Sequence, residues 1–159
     1  MKIQIRAAKP GDLPLVLRFV RELAVFERLE GEVEADEERL RGCLFPAGGA
    51  PAAECALAFA DGEPAGFALF FTNYSTFLGK PGIYLEDLFV PPGFRGKGVG
   101  RDLLVHVARI ARDRGCGRME WTVLSWNQRA IEFYESIGAK VMPDWRICRL
   151  TGDALKNVR

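Results

Sequence analysis

The chain has 159 residues, 48% of them hydrophobic, with 22 Lys and Arg against 21 Asp and Glu and a formal net charge of +1. That length suits one domain, residues 1–159, with a substantial core, and the hydrophobic content excludes a disordered chain. The near-neutral charge gives no general pull toward nucleic acid or an anionic membrane; no apolar run approaches a bilayer span and no signal-peptide pattern opens the chain, so a soluble cytoplasmic protein is expected.

Lys2 to Ala8 alternates apolar and polar residues and reads as a first strand. Asp12 precedes Leu13, Leu15, Val16, Phe19, Val20 and Leu23, spaced for one face of a helix that continues to about Glu30. A more polar helix fits Ala35 to Cys43, followed by a loop from Pro46 to Pro51. Strands at Cys55 to Ala60 and Ala65 to Phe71 flank Asp61-Gly62, a hairpin signal because Asp-Gly suits the turn dihedrals. Ile83 to Val90 is a strongly apolar strand. Gly98 to Arg114 is the best helix, with Val99, Leu103, Leu104, Val107, Ile110 and Ala111 on one side. A strand at Arg118 to Leu124 and a helix at Asn127 to Ile137 follow. Two short strands, near Lys140 and from Trp145 to Leu150, are expected to close the domain.

Cys43, Cys55, Cys116 and Cys148 match no zinc template and form no Cys-x-x-Cys pair, so buried free thiols are expected rather than a disulfide framework. His106 is the only histidine and falls at the edge of a helix's apolar stripe. No metal site is expected. No Gly-x-Ser-x-Gly elbow supports a serine hydrolase.

The chemistry concentrates in Tyr84-Leu-Glu-Asp-Leu-Phe-Val90 and the loop that follows it. The strand carries adjacent carboxylates, Glu86 and Asp87, and runs into glycines at 93, 96, 98 and 100 that open a helix. Glycines let backbone N–H groups approach an anion, and a helix N-terminus adds partial positive charge. Arg95, Lys97 and Arg101 add full charges. The segment reads as a pyrophosphate cradle beside a strand able to hold a general base; a glycine-rich turn with no ligand is the alternative. A phosphate loop of the Walker type is ruled out because Gly98, rather than Ser or Thr, follows Gly96-Lys97. A dinucleotide fingerprint fails because Arg101 stands where its third glycine belongs, although Glu120 lies at a distance suited to a ribose contact.

Arg95, Gly98 and Gly100 do fit Arg-x-x-Gly-x-Gly, and here the chain resembles the GNAT N-acetyltransferases. The string Trp126-Asn-Gln-Arg-Ala, with Phe133-Tyr134 and Gly138-Ala139, matches a second segment of that family. With Arg21-Glu-Leu-Ala-Val-Phe-Glu27 and the Tyr84–Val90 strand, the chain looks like the diamine acetyltransferases, of the spermidine/spermine N1 and thialysine N-epsilon types. The resemblance covers nearly the whole chain. It implies an α/β (α+β) GNAT fold, with a mixed central sheet of about six to seven strands flanked by about four helices. It implies acetyl-CoA as co-substrate, a small amine as acceptor, no metal, no nucleic-acid or membrane partner, and a homodimer. The cofactor residues it implies are Leu88, Phe89 and Val90, whose backbone would pair with the pantetheine amides, the loop Arg95, Gly96, Lys97, Gly98, Val99, Gly100 and Arg101, and Asn127, Arg129 and Ala130. The acceptor residues it implies are Phe26, Glu27, Glu86, Asp87, Glu120 and Trp121.

Acetyl transfer to an amine requires a base and an acid. A lysine-like amine with a pKa near 10.4 is neutral in about one molecule in 2,500 at pH 7, a deficit of about 4.6 kcal/mol. A carboxylate buried on an apolar strand is expected to have a raised pKa, and Glu86 is the candidate base; a structural ion pair at a strand end is its other reading. Tyr134 keeps its proton at pH 7 and is the general acid that the resemblance implies; read as a lone helical tyrosine it is a packing residue. Glu27 without the family is an ordinary helical charge. Spermine-type enzymes carry an Asp-Pro-Trp string where this chain has Ser75-Thr76-Phe77, which favours a shorter amine such as thialysine or a lysine-like amino acid. Two further readings stay open: a peptide or protein N-acetyltransferase, and a non-catalytic acyl-CoA-binding sensor.

Overall fold

The computed structural model describes residues 1–158, which fall into two compact units, Met1–Trp121 and a second from Thr122 on. The first unit runs β1 (Ile3–Ala7), α1 (Leu13–Glu27), α2 (Glu37–Leu44), β2 (Glu54–Ala60), β3 (Glu63–Ser75), β4 (Lys80–Phe89), α3 (Val99–Asp113) and β5 (Arg118–Trp121). The strands form one sheet in the order β1-β2-β3-β4-β5. β1 to β4 pair antiparallel, and β5 lies parallel to β4. Parallel pairing needs a crossover, and α3 supplies it.

Local chemistry sets the element ends. Before α1, the Asp12 carboxylate accepts two bonds from the Arg6 guanidinium, at 2.7 and 2.9 Å, and one from the Lys9 backbone N–H at 2.7 Å. The Arg6 hydrogen bond, aided by that backbone donor, holds the Asp12 carboxyl below the usual range against the opposing effect of burial. α1 stops at Arg28, which takes the left-handed conformation at φ 61°. Asp36 caps α2 by accepting the Arg39 N–H at 2.8 Å. Asp61 and Gly62 both have positive φ, 49° and 89°, as a two-residue hairpin turn between β2 and β3 requires.

The two faces of the sheet carry side chains of different size. Cys55, Leu57, Phe67, Leu69 and Phe89 pack with Leu13, Val16, Leu17 and Phe19 of α1 and with Leu40 and Leu44 of α2. The alternate positions Ala56, Ala58, Gly66 and Ala68 lie on the other face, toward α3. Small residues there let the helix approach closely: a Cβ on Gly66 would stand 3.2 Å from Leu103 Cδ1 and 2.6 Å from the Phe89 carbonyl oxygen. α3 meets this face with buried Val99, Leu103, Leu104, Val107 and Ala111. His106 is half-buried beside them, and burial followed by the Arg109 charge lowers its pKa. Burial pushes the Cys55 thiol up to about 12. All four cysteines are free, but Cys148 is exposed, which corrects the expectation of buried thiols at that position.

The second unit holds α4 (Gln128–Ser136) and α5 (Gly152–Lys156). Asn127 caps α4 by accepting the Ala130 N–H at 3.3 Å. The fold class stands, with two corrections to its inventory. The described residues form five strands rather than six to seven, and five helices rather than about four. The strand expected from Arg118 to Leu124 ends at Trp121, and those expected near Lys140 and at Trp145 to Leu150 are irregular backbone. An alternating apolar pattern becomes a strand only with a ladder partner; here Trp145, Ile147 and Leu150 are exposed. α5 was not anticipated. No described helix is long and apolar enough to cross a membrane.

Candidate active site

The glycine loop begins where β4 ends. A single 3-10 turn spans Pro92–Phe94, and Gly96 and Gly98 then turn the chain at φ 73° and 89°. Gly98 is the N-cap of α3 and makes no side-chain cap. A Cβ built on it would meet nothing within 4 Å, so the space before the helix start is open. The first turn of α3 presents N–H groups that have no partner inside the helix, together with the positive end of its dipole. This geometry fits a pyrophosphate.

Two of the loop's three cations have contacts within the first unit. The Lys97 ammonium donates to the Gly93 carbonyl at 2.8 Å and lies 5.8 Å from the Phe94 ring centroid. Arg95 Nε–H donates to the Val90 carbonyl at 2.8 Å. Its guanidinium lies 4.5 Å from the Phe26 ring centroid and 5.7 Å from that of Phe89. Arg101 is exposed on the first turn of α3.

β4 outruns its neighbour. It pairs with β5 only from Gly82 to Leu85, so within the first unit Glu86 to Phe89 form an edge beyond the end of β5. An unpaired edge can receive an extended, amide-bearing ligand as an added strand. The Val90 carbonyl, expected in that set, already accepts Arg95 Nε–H.

On the other side of β4 the register slips. Leu69 pairs with Asp87 and Phe70 with Leu85, leaving Glu86 as an extra residue, a β-bulge. Tyr84 pairs with Phe71, which packs against the α1-facing cluster, and Phe89 pairs with Phe67, both members of it. Cross-strand partners share a face, so Asp87, opposite Leu69, also faces α1. Strict alternation from Tyr84 would have put Glu86 there and Asp87 toward α3; the bulge puts Asp87 there instead.

The expectation of a buried Glu86 is therefore corrected. Glu86 is exposed and Asp87 is half-buried. Burial, then the charges of Glu86 and Glu27, push the Asp87 carboxyl up to about 7. Glu27, at the end of α1, is also half-buried, and burial raises its pKa. The first unit thus brings Glu27, Glu86 and Asp87 close enough for their charges to interact, and an incoming cation would relieve that repulsion. Phe26 precedes Glu27 and stacks under Arg95. Glu120, opposite Tyr84, is ion-paired with Arg118 at 2.8 Å and accepts from Asn73 Nδ2 at 3.5 Å. Trp121, opposite Leu85, is half-buried.

In the second unit, Tyr134 lies on α4 with its ring centroid 5.3 Å from that of Phe133. Ala130 supplies the N–H that Asn127 caps, and Arg129 is exposed on the first turn of α4. Sequence reasoning missed the bulge and the Arg95–Phe26 stack. A Phe one residue before a site carboxylate and a loop Arg far along the chain were the signals available for the stack. Among the described residues, no group of three or more His, Cys, Asp and Glu is arranged to hold a metal ion.

The model of the acetyltransferase (GNAT) family matches residues 17–139. The chain is 38% identical to a thialysine N-epsilon-acetyltransferase of Bos taurus, over 98% of this chain and 96% of that one. It is 36% identical to the L-ornithine N5-acetyltransferase NATA1 of Arabidopsis thaliana, over 98% and 87%. Among solved structures, an integron cassette protein from the mobile metagenome of V. cholerae superposes with a TM-score of 0.78 at 28% identity, over 98% of this chain and 96% of that one. The chain belongs to the acetyltransferase (GNAT) family of enzymes, whose co-substrate is acetyl-CoA.

Proposed function

We propose that the chain transfers the acetyl group of acetyl-CoA to the primary amine of a small cationic substrate, a thialysine- or lysine-like amine or a diamine or polyamine. The observation that carries this reading is the pair of half-buried carboxylates Glu27 and Asp87, whose charges interact on the α1 side of the sheet, with exposed Glu86 next to Asp87 in β4. Half-buried carboxylates whose charges repel favour a cation over a neutral acceptor. Asp87 is poised near neutrality and becomes fully charged when an ammonium group arrives beside it.

Acetyl-CoA brings the activated thioester. The N–H groups at the start of α3, freed of side-chain bulk at Gly98, hold its pyrophosphate, and the β4 edge at Glu86 to Phe89 holds its amides. Glu86, at the bulge and open to water, accepts the amine proton directly or through water. Tyr134 donates its phenol proton to the leaving sulfur. The assignment of Tyr134 to this reaction rests on the sequence match, which runs across both units, and the same match supports treating the chain as one acetyltransferase domain. The reading includes a cytoplasmic homodimer, as in the diamine acetyltransferases that the chain resembles.

Two observations favour a compact amine. The named relatives act on thialysine and on ornithine. Ser75 is buried, and its hydroxyl accepts the Leu78 N–H at 3.3 Å, so it serves the hairpin rather than a distant ammonium. The test is mass spectrometry of thialysine incubated with acetyl-CoA and the protein. The expected product carries one acetyl group on the side-chain nitrogen; recovery of thialysine and ornithine unmodified, while a peptide is acetylated, would overturn the reading.

A further inference from the structure

We infer that Arg95 is a positioning residue that ties the glycine loop to the acceptor wall, so that acetyl-CoA in the loop raises affinity for the amine. The inference rests on the function proposed above, in which the loop holds acetyl-CoA and Phe26 and Glu27 belong to the acceptor side. An arginine serving as a phosphate cation presents its guanidinium to the space before the helix. This one lies over the faces of Phe26 and Phe89, at 4.5 and 5.7 Å, and turns Nε–H back onto the Val90 carbonyl at 2.8 Å. The pyrophosphate is then left to backbone N–H groups and the helix dipole.

The contacts join three pieces of the first unit. Phe26 lies on the last turn of α1, Phe89 and Val90 lie where β4 ends, and Arg95 lies in the loop itself. Behind them, Phe89 meets Phe19 at 6.3 Å and Phe19 stacks on Phe67 at 5.7 Å, so the strut stands on packed core. Phe26 in turn precedes Glu27, whose charge acts on Asp87. A loop displaced by Arg95 moves the wall that carries a substrate carboxylate. Arginine is suited to such a strut because a flat guanidinium stacks on a ring while Nε–H donates in its own plane, which a lysine ammonium cannot do. Coupling between two sites is reciprocal, so the amine must tighten acetyl-CoA by the same factor.

The test compares the parent protein with Arg95→Lys, Phe26→Leu and the double variant. In the parent, saturating coenzyme A should tighten thialysine binding by about fivefold or more in calorimetry, within the range usual for coupled sites. Arg95→Lys should remove most of that gain and raise the thialysine KM about three- to tenfold, with a smaller fall in kcat and a change of no more than about twofold in acetyl-CoA Kd. Phe26→Leu should act alike, and the double variant should be little worse than either single one. Acetyl-CoA binding about tenfold weaker in Arg95→Lys with an unchanged thialysine KM would overturn the strut and make Arg95 a phosphate cation; so would single effects that simply multiply. If Arg95→Lys does not fold, an unchanged thialysine KM in Phe26→Leu overturns the strut. A parent protein that neither binds acetyl-CoA nor acetylates any amine would overturn the proposed function, and the strut with it.

Discussion

Glu86 and Asp87 are adjacent in sequence and occupy opposite surroundings: Glu86 stands exposed at a β-bulge, while Asp87 is half-buried facing α1 with its carboxyl pushed up to about 7. One extra residue in β4 gives two adjacent carboxylates different surroundings, one open and one recessed.

This difference makes stability depend on pH. Asp87 holds its proton in the folded protein up to about pH 7, whereas in the unfolded chain it ionises near 3.9. Between those values the folded state binds more protons, so this contribution is fully present below about pH 4 and is lost as pH rises through 7. Asp87→Asn should flatten that slope and stabilise the free enzyme at pH 8 by on the order of 1 to 3 kcal/mol, a few degrees in Tm. Thermal melts from pH 4 to 9 check it; a variant as pH-sensitive as the parent contradicts the assignment.

Gly98→Asp should leave a folded protein that has lost at least about tenfold in acetyl-CoA affinity. A Cβ at Gly98 meets nothing within 4 Å, but at φ 89° any side chain is strained, so circular dichroism must first show that the variant folds. Its carboxylate would lie at the proposed pyrophosphate site. Calorimetry with acetyl-CoA reads the difference, and an unchanged Kd would remove the loop from the cofactor site.

Tyr134→Phe should keep the circular dichroism spectrum and acetyl-CoA binding while turnover falls roughly tenfold to ten-thousandfold, at or somewhat below the usual range for a lost general acid. Steady-state rates equal to the parent's would take Tyr134 out of the mechanism.

Much of the fold could be read from the sequence because its elements carry strong local signals. The β2–β3 hairpin is marked by Asp61-Gly62, and α3 by the spacing of Leu103, Leu104, Val107 and Ala111. What escaped is set by partners distant in the chain. Alternation along β4 selects Glu86 for the interior, and only the register against Leu69 and Phe70 shows that Asp87 takes that place. A Gly-rich loop with three cations looks like a phosphate cage, yet Arg95 is drawn to the rings of Phe26 and Phe89. The apolar spacing of Trp145, Ile147 and Leu150 resembles a strand, but no local pattern supplies the neighbour that a strand must pair with.

Light scattering at micromolar concentration should give twice the chain's mass of 17.7 kDa. The homodimer is a proposal that rests on the resemblance to the diamine acetyltransferases, and a monomer mass would contradict it.

The most direct measurement is kcat/KM with acetyl-CoA for thialysine, lysine, ornithine, spermidine and spermine under one set of conditions. In the proposed site, Glu27, Glu86 and Asp87 supply negative charge for one cation near the reacting amine, and the resemblance has Ser75 where spermine-type enzymes carry a more distant carboxylate. A missing, partly exposed ion pair costs up to about 1 kcal/mol, so the compact amines should outperform spermine by about fivefold. Spermine winning by about tenfold or more would restore a polyamine substrate, and no turnover with any of the five would contradict acetyl transfer to a small cationic amine altogether.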